Sequence, residues 1–154
     1  MLTSVCCIDP ARLRGPAARA LEALIGAGVD VLSEPRLDEA EMVVDAIFGV
    51  GLSRPPQGRY EEWIETINAS GKRVIAVDLP SGLDADTGVA YSPCVRAELT
   101  VTLGLPKLGL LLADGPGLAG EIWVADIGVP RAAYEVLGIE VPEGLFGQAD
   151  AVKL

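Results

Sequence analysis

The chain contains no histidine among its 154 residues. Without an imidazole, Ser-His and Cys-His catalysis and histidine-ligated metal sites are excluded. The groups left for chemistry are carboxylates, lysine, tyrosine, hydroxyls and backbone dipoles. Cysteine is also scarce, since Cys6 and Cys7 are adjacent and Cys94 stands alone. Adjacent cysteines cannot form an ordinary disulfide and no C-x-x-C spacing occurs, so the sequence indicates neither a disulfide framework nor a zinc site.

Positive charge and long apolar runs are lacking as well. Lysine and arginine total 12 against 22 aspartates and glutamates, which gives a net charge of −10. Nucleic-acid-binding proteins use clustered basic residues to displace phosphate counterions, so this balance argues against that class. The chain shows no secretory signal pattern and no apolar run near the ~20 residues that span a bilayer. We therefore expect a cytoplasmic protein that binds neither nucleic acid nor membrane.

Apolar segments of two different periods alternate along the chain. Half of the residues are hydrophobic, and β-type runs are followed by segments of helical spacing that stop at glycine. This alternation predicts an α/β protein with a mainly parallel sheet and helices on both faces. We expect one domain over residues 1–142 and a loosely held tail over residues 143–154. The predicted strands are 2–8, 29–32, 43–48, 73–77, 99–103 and 122–125, and the predicted helices are 16–25, 60–70 and 131–137.

Two β-type runs reach an aspartate and then break into a turn of small residues. The first, VVDAIFGVG, contains Asp45, and the second, VIAVDLPSG, contains Asp78. Ligands of open α/β sheets bind beyond the carboxyl ends of parallel strands, so both carboxylates are predicted to reach one site. A buried carboxylate is costly unless a cation neutralises it or its pKa rises toward the range useful for proton transfer. We expect the two aspartates to divide these roles, with Ser81 and backbone carbonyls supplying further oxygen ligands to a hard cation.

A glycine-bearing turn follows Asp45. Glycine permits positive φ and close backbone approach, so consecutive amides can form a concave nest for phosphate oxygens, and Arg54 can add a charged contact. The alternative is an ordinary tight turn between a strand and a helix. A second loop, 78–88, carries three carboxylates, and its alternative interpretation is an acidic, solvated turn. The predicted phosphate-binding turn consists of Gly49, Val50, Gly51, Leu52, Ser53, Arg54 and Pro55.

Four motifs follow one another in the chain: VVDAIFGVGLSRP, VIAVDLPSGLDADTG, AELTVTLGLPKLGLL and GEIWVADIGVP. In sequence and spacing they resemble the YjeF N-terminal domain family, the NAD(P)H-hydrate epimerases. The resemblance implies a Rossmann-like, three-layer α/β/α sandwich. It also implies an isomerase that interconverts the R and S epimers at C6 of hydrated NADH or NADPH, a small-molecule substrate. A separate dehydratase then restores the cofactor, and the resemblance further implies a homodimer.

The resemblance assigns roles to individual residues. Asp45 and Ser81 would be ligands of potassium (K+), and the turn 49–55 would contact the substrate phosphates. Asp78 would contact the substrate and act as the acid–base group. Lys107 would either neutralise a site carboxylate or form a surface or strand-end ion pair.

One part of the family pattern is missing. Family members begin with a helix, a strand and a GNNGGDG loop, which binds potassium and the nucleotide, and this loop does not occur in the sequence. The chain is therefore expected to begin at the family's second strand, which leaves a central gap between the strands 2–8 and 43–48. We consider three hypotheses: these two strands pair directly, another chain donates the missing element, or the true start lies upstream. Loss of the loop also predicts weaker binding of substrate and cation, and hence reduced or absent turnover.

Two alternatives to an epimerase remain open. The leading one is a non-catalytic module with a YjeF-type fold that retains a surface for a nucleotide or a protein. The other is a nucleotide-binding oxidoreductase, which is less favoured because no complete G-x-G-x-x-G opens a strand-to-helix turn.

Overall fold

The computed structural model describes residues 4–147 and 149–154. The chain forms two units, Met1–Ala40 and Glu41–Leu154. In the first unit two short strands pair in parallel, with Val5 opposite Val31. They are connected through helix α1, as parallel strands require a crossover. The elements of this unit are β1 (Ser4–Cys6), a 3-10 turn (Pro10–Arg12), α1 (Gly15–Gly26), β2 (Asp30–Leu32) and a second 3-10 turn (Leu37–Glu39).

The second unit contains a five-stranded sheet in the order β3-β4-β5-β6-β7. The first four strands are parallel and β7 runs antiparallel to β6. The predicted α/β fold with a mainly parallel sheet is thus confirmed. Its elements are β3 (Met42–Asp45), α2 (Arg59–Ala69), β4 (Arg73–Val77), β5 (Leu99–Leu103), a 3-10 turn (Leu108–Leu110), α3 (Gly115–Leu118), β6 (Glu121–Ala125), α4 (Arg131–Val136) and β7 (Ala151–Lys153).

Two sequence predictions differ from the structure. The strand predicted over 43–48 ends at Asp45 because side-chain oxygens, not a neighbouring strand, accept the next amides: Ile47 N–H bonds to Asp45 Oδ1 and Phe48 N–H to Ser81 Oγ. Within the units, β1 pairs with β2 and β3 pairs with β4, and the hypothesis that the strands 2–8 and 43–48 pair directly stays a prediction. Part of the expected tail is ordered, because Ala151–Lys153 form β7. Three residues are too short to show a periodic pattern.

The core of the second unit includes one face of α2 and part of the loop that follows β4. Helix α2 buries Trp63, Ile64 and Ile67 on one face. Leu79 and Leu83 pack with Leu110 and Ala119 in a buried cluster. The first part of the loop 78–88 is therefore anchored in the core, which fixes the residues between those two leucines. No helix in the described part of the chain is long and apolar enough to cross a membrane.

Candidate active site

Asp45 and Ser81 form a fully buried pair at the carboxyl ends of β3 and β4. Their exposed fractions are 1% and 0%. The Ser81 amide donates to Asp45 Oδ2 at 2.8 Å, and Ser81 Oγ donates to Asp45 Oδ1 at 2.7 Å. Ser81 Oγ in turn accepts the Phe48 amide at 2.9 Å. The pair joins two neighbouring strand ends, as the sequence predicts.

The Asp45 carboxylate accepts hydrogen bonds from uncharged donors. Burial raises the pKa of Asp45, and the hydrogen bonds from Ser81 and Ile47 lower it again in part. Three kinds of oxygen lie together here: the Asp45 carboxylate, the Ser81 hydroxyl and the Phe48 carbonyl, which is 3.4 Å from Ser81 Oγ. Within residues 4–147 and 149–154, no three cysteines or carboxylates group as metal ligands. One carboxylate with neutral oxygens fits a hard cation better than a zinc-like ion.

Asp78 follows β4 directly and has a charged partner. Its Oδ1 accepts hydrogen bonds from Thr102 Oγ1 at 3.3 Å and from the Leu103 amide at 3.2 Å. The Lys107 ammonium forms an ion pair with the same Oδ1 and donates to the Leu103 carbonyl at 2.8 Å. Both side chains are partly shielded, at 15% exposed for Asp78 and 19% for Lys107. The structure thus shows Lys107 in an ion pair at the end of β4, and the neutralisation of a site carboxylate stays a prediction.

The second oxygen of Asp78 faces the glycine turn. Among the described residues, Asp78 Oδ2 accepts no hydrogen bond, whereas Oδ1 has three donors. A Cβ added to Gly49 would lie 3.3 Å from Oδ2, so this glycine leaves the oxygen uncovered. Asp78 also has φ of 73°, a conformation that non-glycine residues rarely adopt. Such local strain occurs preferentially at functional sites.

The loop after Ser81 holds Lys107 in place. The amide of Gly109 donates to the Ala85 carbonyl at 2.7 Å, and a side chain at Gly109 would collide with the backbone of Ala85. Asp84 rigidifies that loop, because its Oδ1 accepts the Thr87 amide at 2.8 Å and the Thr87 hydroxyl at 2.7 Å. These bonds lower the pKa of Asp84. The acidic loop thus has a structural role as well as a solvated part.

The turn 49–55 begins beside Asp78 and precedes helix α2 in the chain. Gly49 adjoins Asp78, and the ring of Phe48 contacts that of Tyr60 in α2, with centroids 4.9 Å apart. Ser53, Arg54 and Pro55 are exposed. The structure brings the start of this turn to the aspartates, and its role in phosphate binding stays a prediction.

Cys94 lies behind the site as a protonated thiol. Burial, and secondarily the charges of Asp45 and Asp114, raise the pKa of Cys94 to about 12. A nucleophilic thiolate at neutral pH is therefore excluded. The interpretation of this cysteine as a small packed residue fits its environment.

Sequence reasoning missed two members of the site. Thr102 bonds to Asp78, and the only hint was that Thr100 and Thr102 are polar residues within an otherwise apolar strand. The Phe48 carbonyl left no signal, because a backbone group has no sequence signature.

The sequence of the chain matches a known protein family. The sequence model of the family described as YjeF-related protein N-terminus matches residues 2–109. The chain belongs to this family. The resemblance found in the sequence motifs is thereby confirmed, and all of the residues discussed above from Asp45 to Lys107 lie within the matched part.

Two relatives show how YjeF-related N-terminal domains occur in known proteins. The chain is 46% identical over 135 residues to the bifunctional NAD(P)H-hydrate repair enzyme of Thermofilum pendens, covering 82% of this chain and 26% of that protein. It is 43% identical over 120 residues to the NAD(P)H-hydrate epimerase of Dehalogenimonas lykanthroporepellens, covering 78% of this chain and 47% of that protein. The chain thus spans less than half the length of these relatives.

A crystal structure of the yeast protein ynu0 shares the fold of this YjeF-related chain. The TM-score is 0.72 at 23% sequence identity, and the match covers 90% of this chain and 60% of the yeast chain.

Proposed function

We propose that the chain carries NAD(P)H-hydrate epimerase activity and inverts C6 of hydrated NADH or NADPH. The central observation is the asymmetry of Asp78. Three donors occupy Oδ1, and Oδ2 faces the space beside Gly49. The names of the relatives, epimerase and bifunctional repair enzyme, support this reaction class.

Asp78 Oδ2 is the proposed proton-transfer atom. To invert C6, removal of the hydroxyl proton lets the C6–O bond become a carbonyl while the C6–N1 bond breaks and its electron pair goes to N1. Closure of N1 on the other face of the carbonyl re-forms that bond and returns the proton to the oxygen, and general acid–base catalysis requires a group within hydrogen-bond reach of that proton. Lys107 holds the other carboxylate oxygen and shields its charge. The carboxylate is consequently fixed in orientation, which limits the reorganisation that proton transfer requires.

Potassium is the proposed cofactor, with Asp45, Ser81 and the Phe48 carbonyl as its ligands in this chain. When bound, the ion supplies positive charge beside the substrate. The buried Asp45 carboxylate, whose hydrogen-bond donors among the described residues are all uncharged, supports this assignment. Gly49–Pro55 would contact the substrate phosphates through backbone amides and Arg54.

The product is proposed to pass to an NAD(P)H-hydrate dehydratase. The name of the bifunctional relative supports this link, since two activities of one repair sequence share a chain there. Homodimerisation and a cytoplasmic location stay predictions from the sequence.

The direct test follows one purified epimer of hydrated NADPH by chromatography. We expect the protein in potassium chloride to form the other epimer faster than the spontaneous rate, and more slowly in tetramethylammonium chloride. An unaccelerated reaction at every potassium concentration would overturn the catalytic proposal. Nucleotide binding without turnover, measured by calorimetry, would then support the non-catalytic module.

A further inference from the structure

Asn68 of helix α2 is hydrogen-bonded to the segment after the acidic loop. The Asn68 Nδ2 group donates to the Cys94 carbonyl at 2.8 Å, and Asn68 Oδ1 accepts the Arg96 amide at 3.0 Å. One side chain thus bonds to the backbone on both sides of Val95, much as a neighbouring strand would.

Val95 connects this clamp to the buried pair. It is completely buried, and its amide donates to the Ser81 carbonyl at 2.8 Å. Gly82, which follows Ser81, packs closely against the segment Cys94–Arg96, so that a Cβ added to Gly82 would lie 2.6 Å from Cys94 Cα. A shift of the segment therefore has to move the backbone of Ser81.

Ser81 is bonded through each of its polar groups. Its amide and hydroxyl bind Asp45, and its carbonyl accepts Val95. The amide and hydroxyl bonds fix the hydroxyl relative to the carboxylate, while the carbonyl bond fixes the residue relative to α2 through Asn68.

We propose that Asn68 is a positioning residue for the cation site, acting on Ser81 through the backbone of Cys94–Arg96. This inference rests on the proposed function, because it assigns the Ser81 hydroxyl to the potassium shell. Asparagine suits the position because it supplies one donor and one acceptor at once. Aspartate keeps the acceptor but places a carboxylate oxygen against the Cys94 carbonyl, and alanine removes both bonds.

The test compares the potassium dependence of Asn68→Asp and Asn68→Ala with that of the wild type. We expect the potassium concentration for half-maximal turnover to rise roughly tenfold in the alanine variant, since two neutral hydrogen bonds are worth about that factor. The turnover at saturating potassium should change little. Glu65→Gln, on an exposed position of the same helix, serves as the control and should behave as the wild type.

A second readout does not depend on activity. Exchange of the Val95 amide, followed by NMR, should accelerate in both Asn68 variants, and potassium chloride should raise their melting temperature less than that of the wild type. An unchanged potassium half-saturation in either folded variant would overturn the inference, as would an equal fall in turnover at all potassium concentrations. If the wild type has no turnover, the proposed function fails, and the melting temperatures in potassium chloride alone decide whether Asn68 acts on the cation site.

Discussion

The two strand-end aspartates have the same sequence context and different surroundings. Asp45 is 1% exposed and is held by uncharged donors from Ser81 and Ile47. Asp78 is partly exposed and is paired with the Lys107 ammonium. A buried carboxylate with only uncharged donors among the described residues is relieved either by a cation or by a raised pKa, whereas one with a lysine already has its counter-charge. The comparison explains why the proposed cation and proton-transfer roles separate.

The difference follows from the neighbours of each strand. β4 lies beside β5, and the loop after β5 carries Lys107 to Asp78. β3 pairs with β4 in this sheet, and the loop after β4 brings Asp45 a serine instead. Sheet order therefore decides which aspartate receives the lysine.

Asp78→Asn is expected to have the largest effect. It keeps the Oδ1 acceptor but removes the proposed proton acceptor, so turnover should fall by roughly 10²–10⁴-fold, as for loss of a general acid–base group. The rate of epimer formation at saturating substrate measures this. Asp86→Asn, which neutralises an exposed carboxylate of the same loop, is the control. Full activity in the Asp78 variant would remove the proposed division of roles.

Gly49→Ala tests whether the uncovered oxygen of Asp78 matters. The new methyl group would lie 3.3 Å from Oδ2, and displacing a reacting group from its geometry should reduce turnover by roughly ten- to a hundredfold. The matched control is Gly117→Ala, at an exposed position of α3 where an added Cβ meets no atom within 4 Å. Equal rates in both variants would contradict an active role for Oδ2.

Ser81→Ala tests the hydrogen-bonded Asp45–Ser81 pair through the free energy of unfolding. It removes one donor to the buried Asp45 and the acceptor of the Phe48 amide, so the free energy of unfolding should fall by about 1–3 kcal/mol. Urea unfolding measures the change, and Ser53→Ala in the exposed turn is the control. A loss no larger than that of the control would show that the pair is not tightly bonded.

Glu98→Gln, in an exposed ion pair, should have the smallest effect on the free energy of unfolding. Glu98 pairs with Arg73 at 2.8 Å on the exposed surface, and hydrogen bonds from Arg73 lower the pKa of Glu98. Because the folded pKa lies below the unfolded one, any stabilisation is present at neutral pH and is lost as the pH falls below the ordinary glutamate value. Urea unfolding should show little difference at pH 7 in high salt. A large, salt-independent loss would contradict this view of the exposed pair.

Much of the fold was predictable because it depends on local patterns. The apolar run 73–77 and the run 99–103 agree with β4 and β5 to the residue. Helix α2 and its buried face of Trp63, Ile64 and Ile67 follow from helical spacing. Strand β7 was not predicted, because its three residues form a strand only by pairing with β6.

The sequence predicted which residues belong to the site but not which of them contact one another. The sequence placed Asp45, Asp78 and Ser81 at strand ends, and the structure brings Ser81 onto Asp45. Nothing in the sequence paired Thr102 with Asp78 or Asn68 with the segment around Val95. These contacts join residues far apart in the chain, and their partners depend on how the loops pack.

The sequence by itself determined the chemistry available to this protein: no imidazole, a net charge of −10, and two aspartates at the ends of parallel strands. Only the tertiary structure decided that Asp45 is buried among neutral donors and that Asp78 faces Lys107 and Gly49. The physical reason is that residue type and spacing set local conformation, whereas burial and charge pairing depend on the order of strands and the packing of the loops between them.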